Sequence, residues 1–265
     1  MSMTNRPIIP SASHRLTNDK AFELITSSLD SHARVLDLGA GRGHLARRVA
    51  TWFEQRGQKP ADFVVAADVS ADQFEATEVP FECINLNEAL PFHNATFDVI
   101  YSIEVTEHLH RPYDFLRECF RALKPGGFLI VSTPNILHLA SRLRFFLTGF
   151  FELYKPPSTD PANAGRLCGH VMPLHLAYYA YGLRLVGFKD VQYAHDKSKR
   201  ASLVLWILFY PLIAIMRSRL TREVAAYDAG VFQENRDILG MINSKKFLTS
   251  RSLMFVARKP VAREV

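Results

Sequence analysis

The sequence predicts a doubly wound α/β fold: a mainly parallel sheet with helices on both faces. Three features carry this reading. Short apolar strand-like runs alternate with helical stretches from Arg34 to Tyr193, the pattern that builds parallel sheets. The run Asp62–Ala67 (DFVVAA) is nearly all apolar, as a strand buried on both faces must be. A glycine run, GAGRG, then joins the first strand to the helix after it. A chain of 265 residues is long enough for one such domain with an elaboration.

Taken in order, residues 1–18 read as a flexible, polar, Pro/Ser-rich arm. Asp19–Leu29 follows as an amphipathic helix, Arg34–Leu38 as the first strand and His44–Gln55 as a helix. After the strand Asp62–Ala67, only the 12 residues Val69–Pro80 lead to the next strand, Phe81–Asn85, so that crossover is short. Phe97–Ser102 and Phe128–Ser132 are further strands. The helix Tyr113–Leu123 lies between them and is stopped by Lys124-Pro125-Gly126-Gly127. Beyond Pro134, Ile136–Leu147 and His175–Val186 read as helices, Tyr154–Gly169 as a loop, and Phe188–Tyr193 and Leu253–Arg258 as strands. The main domain is thus 19–196, with 135–173 as a lid. Residues 197–246 form a hydrophobic and basic insertion into the last hairpin, and 247–265 supply the final strand and tail.

Composition narrows the classes. Apolar residues make up 48% and charged residues 22%, which suits a globular core and excludes disorder as the main state. Seven basic and two acidic residues lie between Lys189 and Arg222, beside an apolar run; this pattern suits a membrane surface before nucleic acid. Cys83, Cys119 and Cys168 are odd in number and widely spaced, which argues against a disulfide framework or a thiolate metal site. The first residues have no apolar core that would make a signal peptide. The expected location is cytoplasmic, with attachment to the cytosolic face of a membrane as an extension.

Glycine at positions 39, 41 and 43 allows a tight turn and close approach of backbone N–H groups to a ligand. Asp68, at the tip of the next strand, can accept hydrogen bonds from both hydroxyls of a ribose. Ligands of open α/β sheets bind at those strand tips. The spacing is G-x-G-x-G with His44 where the dinucleotide fingerprint needs glycine, and no Walker A motif is present. A nicotinamide cofactor is therefore a poor fit.

In order, VLDLGAGRGHLARRVA, VVAADVS, INLNEALPFHNATFDVIYSIEVTEHL and ALKPGGFLIVSTPN resemble the Rossmann-like class I S-adenosylmethionine-dependent methyltransferases. The likeness covers roughly residues 20 to 190 and is greatest to the branch of ubiquinone-type O-methyltransferases and surface-glycan methyltransferases. It implies S-adenosyl-L-methionine as cofactor. Asp37, Gly39, Gly41 and Gly43 would surround its methionine part, and Asp68 would hold its ribose. Asn85 and Leu86 would flank its adenine, and Ser102 would face the methionine. Asn85 replaces the family's usual aspartate, but its amide oxygen can still accept from the adenine amino group.

Glu104, Glu107 and His108 (E-V-T-E-H) follow the fourth strand. In a helical turn, offsets of three and four would put them on one face. They can bind a divalent cation such as Mg²⁺ that activates a substrate hydroxyl, or supply a general base. The structural alternative is that the two glutamates cap the next helix. The resemblance adds His170 as a fourth ligand and gives His175 a capping role. Asn135 and 139–155 are expected to wall the substrate.

Ala201–Met216 is a 16-residue apolar run with Pro211 inside it and basic residues on both flanks. A straight helix of that length would span roughly 24 Å, short of a hydrocarbon core of about 30 Å. A kinked, interface-lying hairpin is expected, with 197–222 making the peripheral membrane contact; a buried helix or subunit interface is the alternative. The expected acceptor is a small molecule or a lipid-linked one, quinone-like or glycan. The competing readings are a methyltransferase for a soluble molecule and a non-catalytic cofactor-binding subunit. No RNA-binding module is visible, so no nucleic acid partner is expected.

Overall fold

The structure is a computed structural model that describes residues 8–11, 13–160 and 169–261. A seven-stranded sheet organises it: β1 (Val35–Leu38), β2 (Val64–Asp68), β3 (Phe81–Cys83), β4 (Phe97–Ile103), β5 (Leu123–Pro134), β6 (Lys189–His195) and β7 (Ser252–Arg258). The strand order is β3-β2-β1-β4-β5-β7-β6. β1 to β5 pair in parallel, and β7 enters antiparallel between β5 and β6. The order reverses beside β1, so the tips of β1, β2 and β4 border the crevice where such sheets bind ligands.

Alternation along the strands divides the core in two. On β1, Val35 joins one apolar cluster while Leu36 and Leu38 join the other. The first face is covered by α1 (Arg15–Ser27) and α2 (His44–Glu54) through Ile25, Val49 and Phe53. The second is covered by α3 (Pro112–Ala122) and α5 (Leu176–Val186) through Phe115, Leu116, Tyr179 and Leu183.

The crossover between β2 and β3 holds only a single turn, Ala71–Gln73. The largely buried Arg47–Glu78 pair (2.8 Å) ties it to α2. Three sequence expectations need correction. The N-terminal arm is docked from Ile9, which is 2% exposed and whose carbonyl meets His44 Nδ1 at 2.7 Å. The Lys124–Gly127 segment stops α3 but lies inside the long strand β5. There Gly126 adopts φ +84° and the pairing with β4 shifts register. Asn135 is 2% exposed and donates from Nδ2 to the carbonyls of Phe247 and Ser250, so it fastens the last hairpin and walls nothing.

The insertion sits between β6 and β7, as expected. Its apolar run forms no hairpin. α6 (Arg200–Tyr227) continues through Pro211 as one helix, followed by α7 (Ala229–Glu234), α8 (Arg236–Met241) and α9 (Lys245–Thr249). A proline costs most where it removes an inner hydrogen bond and crowds the preceding turn; here that turn is exposed and free to adjust. The lid contains α4 (Leu139–Thr148), and part of its loop, including Cys168, lies outside the described residues.

Candidate active site

A cleft of about 910 Å³ opens over the tips of β1, β2 and β4. Asp37, Gly39, Gly41, Asp68, Asn85 and Leu86 line one part of it, and Glu104 and His108 the other. Its volume lies within the range of small-molecule sites.

The glycine loop works by three distinct means. Gly39 takes φ +81°, and a Cβ there would lie 2.3 Å from Val105 Cγ2. Gly41 N donates to Asp68 Oδ2 at 2.8 Å, which joins the loop to the tip of β2. A Cβ on Gly41 would meet nothing within 4 Å, so its backbone faces open cleft. Gly43 corrects an expectation. It is the left-handed N-cap of α2, its missing Cβ makes room for Phe74 and Ala76, and it does not line the cleft.

Asp37 is 3% exposed, and its Oδ2 has no hydrogen-bond partner among the described residues. Burial pushes its carboxyl up to about 8; the Tyr101 hydroxyl opposes this and the charge of Asp68 adds to it. A buried acid of that kind is better satisfied by a cation than by water. Ser70 N donates to Asp68 Oδ1 at 3.2 Å, so both of the carboxylate's oxygens are oriented. Asn85 Oδ1 accepts from Asn87 N at 3.1 Å and from Asn87 Nδ2 at 3.4 Å, and the exposed Asn87 side chain would have to turn aside for another donor. Ser102 is the second correction: it is 0% exposed within β4, and Ile103 and Glu104 reach the cleft instead.

The E-V-T-E-H segment does not form one helical face. Thr106–His108 is a single tight turn, and Glu104 stands before it at φ +58°, an uncommon conformation for a residue with a side chain. Ser132 holds Glu104 there, its hydroxyl donating to Oε1 at 3.0 Å. Desolvation pushes the Glu104 carboxyl up to about 7, opposed by the Ser132 hydroxyl and the charge of Arg251. Glu107 is 1% exposed, and neither of its carboxylate oxygens has a partner in hydrogen-bonding geometry among the described residues. Desolvation first, and then the charge of Glu104, raise it well above the usual carboxylate range. Neither glutamate caps α3, which begins at Pro112 with Arg111 as its N-cap.

His108 and His170 meet edge to face, with ring centroids 4.8 Å apart. His108 Nδ1 donates to the Gly169 carbonyl at 2.9 Å, an arrangement that leaves the Nε2 lone pair free. Burial lowers both imidazoles, that of His170 to about 4, so both are neutral at pH 7. Val171 and Met172 N donate to the Glu107 carbonyl, which fixes the His170 loop against the turn. The ligand atoms of Glu107, His108 and His170 lie within 4.8 Å of one another. Of the four expected cation ligands, three come together and Glu104, held by Ser132, stands outside the group. His175 caps α5 as expected, accepting from Ala177 N at 3.3 Å.

Sequence reasoning missed the N-terminal rim of the cleft (Pro10, Ser11, Ser13 and Asn18), and it placed Tyr154 within the wall segment 139–155 without its contact with His170, on whose ring it packs at 5.1 Å. The buried Ile9 was the available signal for the former: an isolated apolar pair before a polar helix start. Tyr154 sits in a loop with no periodicity, so nothing in the sequence marked its place beside His170.

The cleft, the sheet order and the glycine–carboxylate grip define a nucleoside-binding α/β protein. Its residues 36–131 match the family described as "Methyltransferase domain", so this part of the chain is a methyltransferase domain of the class I, S-adenosylmethionine-dependent type. Among curated proteins it is similar to the ubiquinone biosynthesis O-methyltransferase of Neisseria meningitidis serogroup A, 29% identical over 167 residues. That match covers 53% of this chain and 65% of the Neisseria protein, so the chain spans somewhat under two thirds of that relative's length. Among solved structures, a SAM-dependent methyltransferase from Archaeoglobus fulgidus shares the fold with a TM-score of 0.56 at 17% identity, over 93% of this chain and 95% of that one. A phosphoethanolamine N-methyltransferase from Haemonchus contortus, solved with S-adenosyl-L-methionine, shares it with a TM-score of 0.51 at 17% identity, over 91% and 52%.

Proposed function

We propose that the protein transfers the methyl group of S-adenosylmethionine to a hydroxyl oxygen of a membrane-associated, lipid-linked acceptor that is quinone-like or a glycan. The carrying observation is that Asp68 and His108 line one cleft, so that a ribose grip and a free imidazole nitrogen share one space. The cofactor's ammonium and sulfonium charges suit a cleft holding Asp37, Asp68 and Glu104. Its ribose hydroxyls are donors for Asp68. In the transfer, the acceptor oxygen forms its bond to the methyl carbon as the sulfur–carbon bond breaks, and the sulfonium becomes a neutral thioether. The hydroxyl proton passes to His108 Nε2, which is neutral and unshared. The sulfonium is already activated, so most of the acceleration comes from alignment.

Glu107, His108 and His170 also fit a divalent cation, because the two carboxylate oxygens of Glu107 and the Nδ1 of His170 are buried without partners among the described residues. Such an ion would act as a Lewis acid on the acceptor hydroxyl. Two imidazoles and one carboxylate suit Mn²⁺ or Zn²⁺ better than the Mg²⁺ expected from sequence. Titration with Mn²⁺ alone is expected to show one site that His170→Ala loses.

The test is turnover on membrane lipid extracts with labelled cofactor, together with mass spectrometry of lipids from cells lacking the protein. One lipid species short of a single CH₂ increment is the expected result. His108→Ala should keep S-adenosylhomocysteine binding within about twofold and lower turnover by about 10²–10⁴. Turnover of a soluble hydroxyl compound with no lipid species altered would replace the acceptor assignment.

A further inference from the structure

α6 is long and apolar enough to cross a membrane by length and composition, yet only 6% of its most apolar stretch is buried. Val204, Ile207, Leu208, Phe209, Leu212 and Ile215 are each 45% exposed or more. At about 100° per residue they spread over an arc of roughly 200°, one broad face of the helix. An apolar face that wide suits a helix lying flat in a bilayer interface, where lipid covers about half of its circumference.

Both ends of the helix are tied to the methyltransferase domain. At its start, Lys199 N donates to the Thr249 carbonyl, and the Ser202 hydroxyl meets His138 Nδ1 at 3.1 Å. Just past its end, the Glu234 carbonyl accepts from Arg184 of α5. If α6 spanned a bilayer, the chain would have to return across a hydrocarbon core of about 30 Å. Asp228 and the short helix α7 reach roughly 12 Å. The return is too short, so α6 lies along the domain.

α4 packs beside α6 and adds Phe146, 83% exposed, and Leu147, 68% exposed. The chain leaving α4 supplies Pro157, Ser158 and Thr159 to the cleft wall. Charge identifies the surface that this face meets. Arg144, Lys155, Arg217, Arg219 and Arg222 are all exposed, and no acidic residue occurs between Arg200 and Arg222. We infer that α4 and α6 form one face that docks in plane on an anionic lipid bilayer, presenting the cleft to acceptors held there. Only the last clause rests on the methyl-transfer reading.

The test uses the full chain with sealed vesicles of phosphatidylcholine, with and without phosphatidylglycerol. Flotation with the anionic vesicles is expected, weakened by high salt. The combined Arg217→Glu, Arg219→Glu and Arg222→Glu substitutions should lower partitioning by about a hundredfold or more. An impermeant maleimide should label both Lys197→Cys and Ala226→Cys from outside bound vesicles. Failure to float, a soluble dimer with the α6 face covered, or protection of one of the two cysteines would overturn the inference. S-adenosylhomocysteine binding, measured in parallel, separates the two claims: flotation without it would sink the methyl-transfer reading and leave the docking face standing.

Discussion

At the residue scale the cleft depends on carboxylates whose surroundings differ. Asp37 is buried and its carboxyl sits at about 8, so at pH 7 it holds its proton until a cation arrives. Cofactor binding at pH 7 should therefore release a proton, detectable as a calorimetric enthalpy that changes with buffer, and affinity should rise from pH 6 toward pH 8. An Asp37→Asn variant should lose the buffer dependence. Gly39 makes a separate prediction. Because its φ is +81° and an added Cβ would strike the stiff side chain of Val105, Gly39→Ala should cost about 1–3 kcal/mol in urea unfolding. Much of the grip was legible in sequence, since Asp37, Gly39, Gly41 and Asp68 are fixed by a strand–loop–helix turn whose chemistry is local. Gly43 and Ser102 were misread because whether a residue packs or faces the cleft depends on neighbours far along the chain, Phe74 in one case and the strand beside it in the other.

At the element scale, periodicity located the seven strands and the helices α1 to α5, because a buried sheet and amphipathic helices leave strong patterns, but it did not resolve α6 to α9 within the insertion. It failed where context overrides pattern. Pro211 reads as a break but sits within a continuous helix, and the Lys124–Gly127 run reads as a stop but becomes a bulge in β5. The shared helical face expected for Glu104, Glu107 and His108 does not form, because residue spacing alone cannot show that the turn covers only Thr106–His108. Close packing of α3 against α5 depends on Gly182, where a Cβ would come within 2.5 Å of the Tyr113 ring. Gly182→Ala should lower the unfolding free energy by about 1–3 kcal/mol, and pairing it with Tyr113→Leu should recover part of the loss.

At the scale of the whole molecule, the buried acids and imidazoles set opposing pH dependences. Asp37, Glu104 and Glu107 have folded pKa values raised above their ordinary ones, so their contribution to stability is complete at low pH and falls as pH rises, through about 7 for Glu104 and about 8 for Asp37. His108 and His170 are lowered from 6.5, so theirs is complete above that pH and is lost as pH falls toward about 4. Between pH 6.5 and 8 the imidazoles are already neutral and the acids decide the slope. The melting temperature of the cofactor-free protein should fall across that interval, and saturating S-adenosylmethionine should flatten the fall by supplying the missing cation. A melting temperature that climbs across the same interval would contradict the ionisation assigned to the cleft. The most direct test of the cofactor site is calorimetry of S-adenosylhomocysteine with the intact protein and with Asp68→Ala. Micromolar binding is expected for the intact protein, with affinity falling about a hundredfold or more in the variant as two charge-assisted hydrogen bonds are lost. Equal affinity in both proteins would contradict the ribose grip, and no binding to the intact protein would contradict the account as a whole.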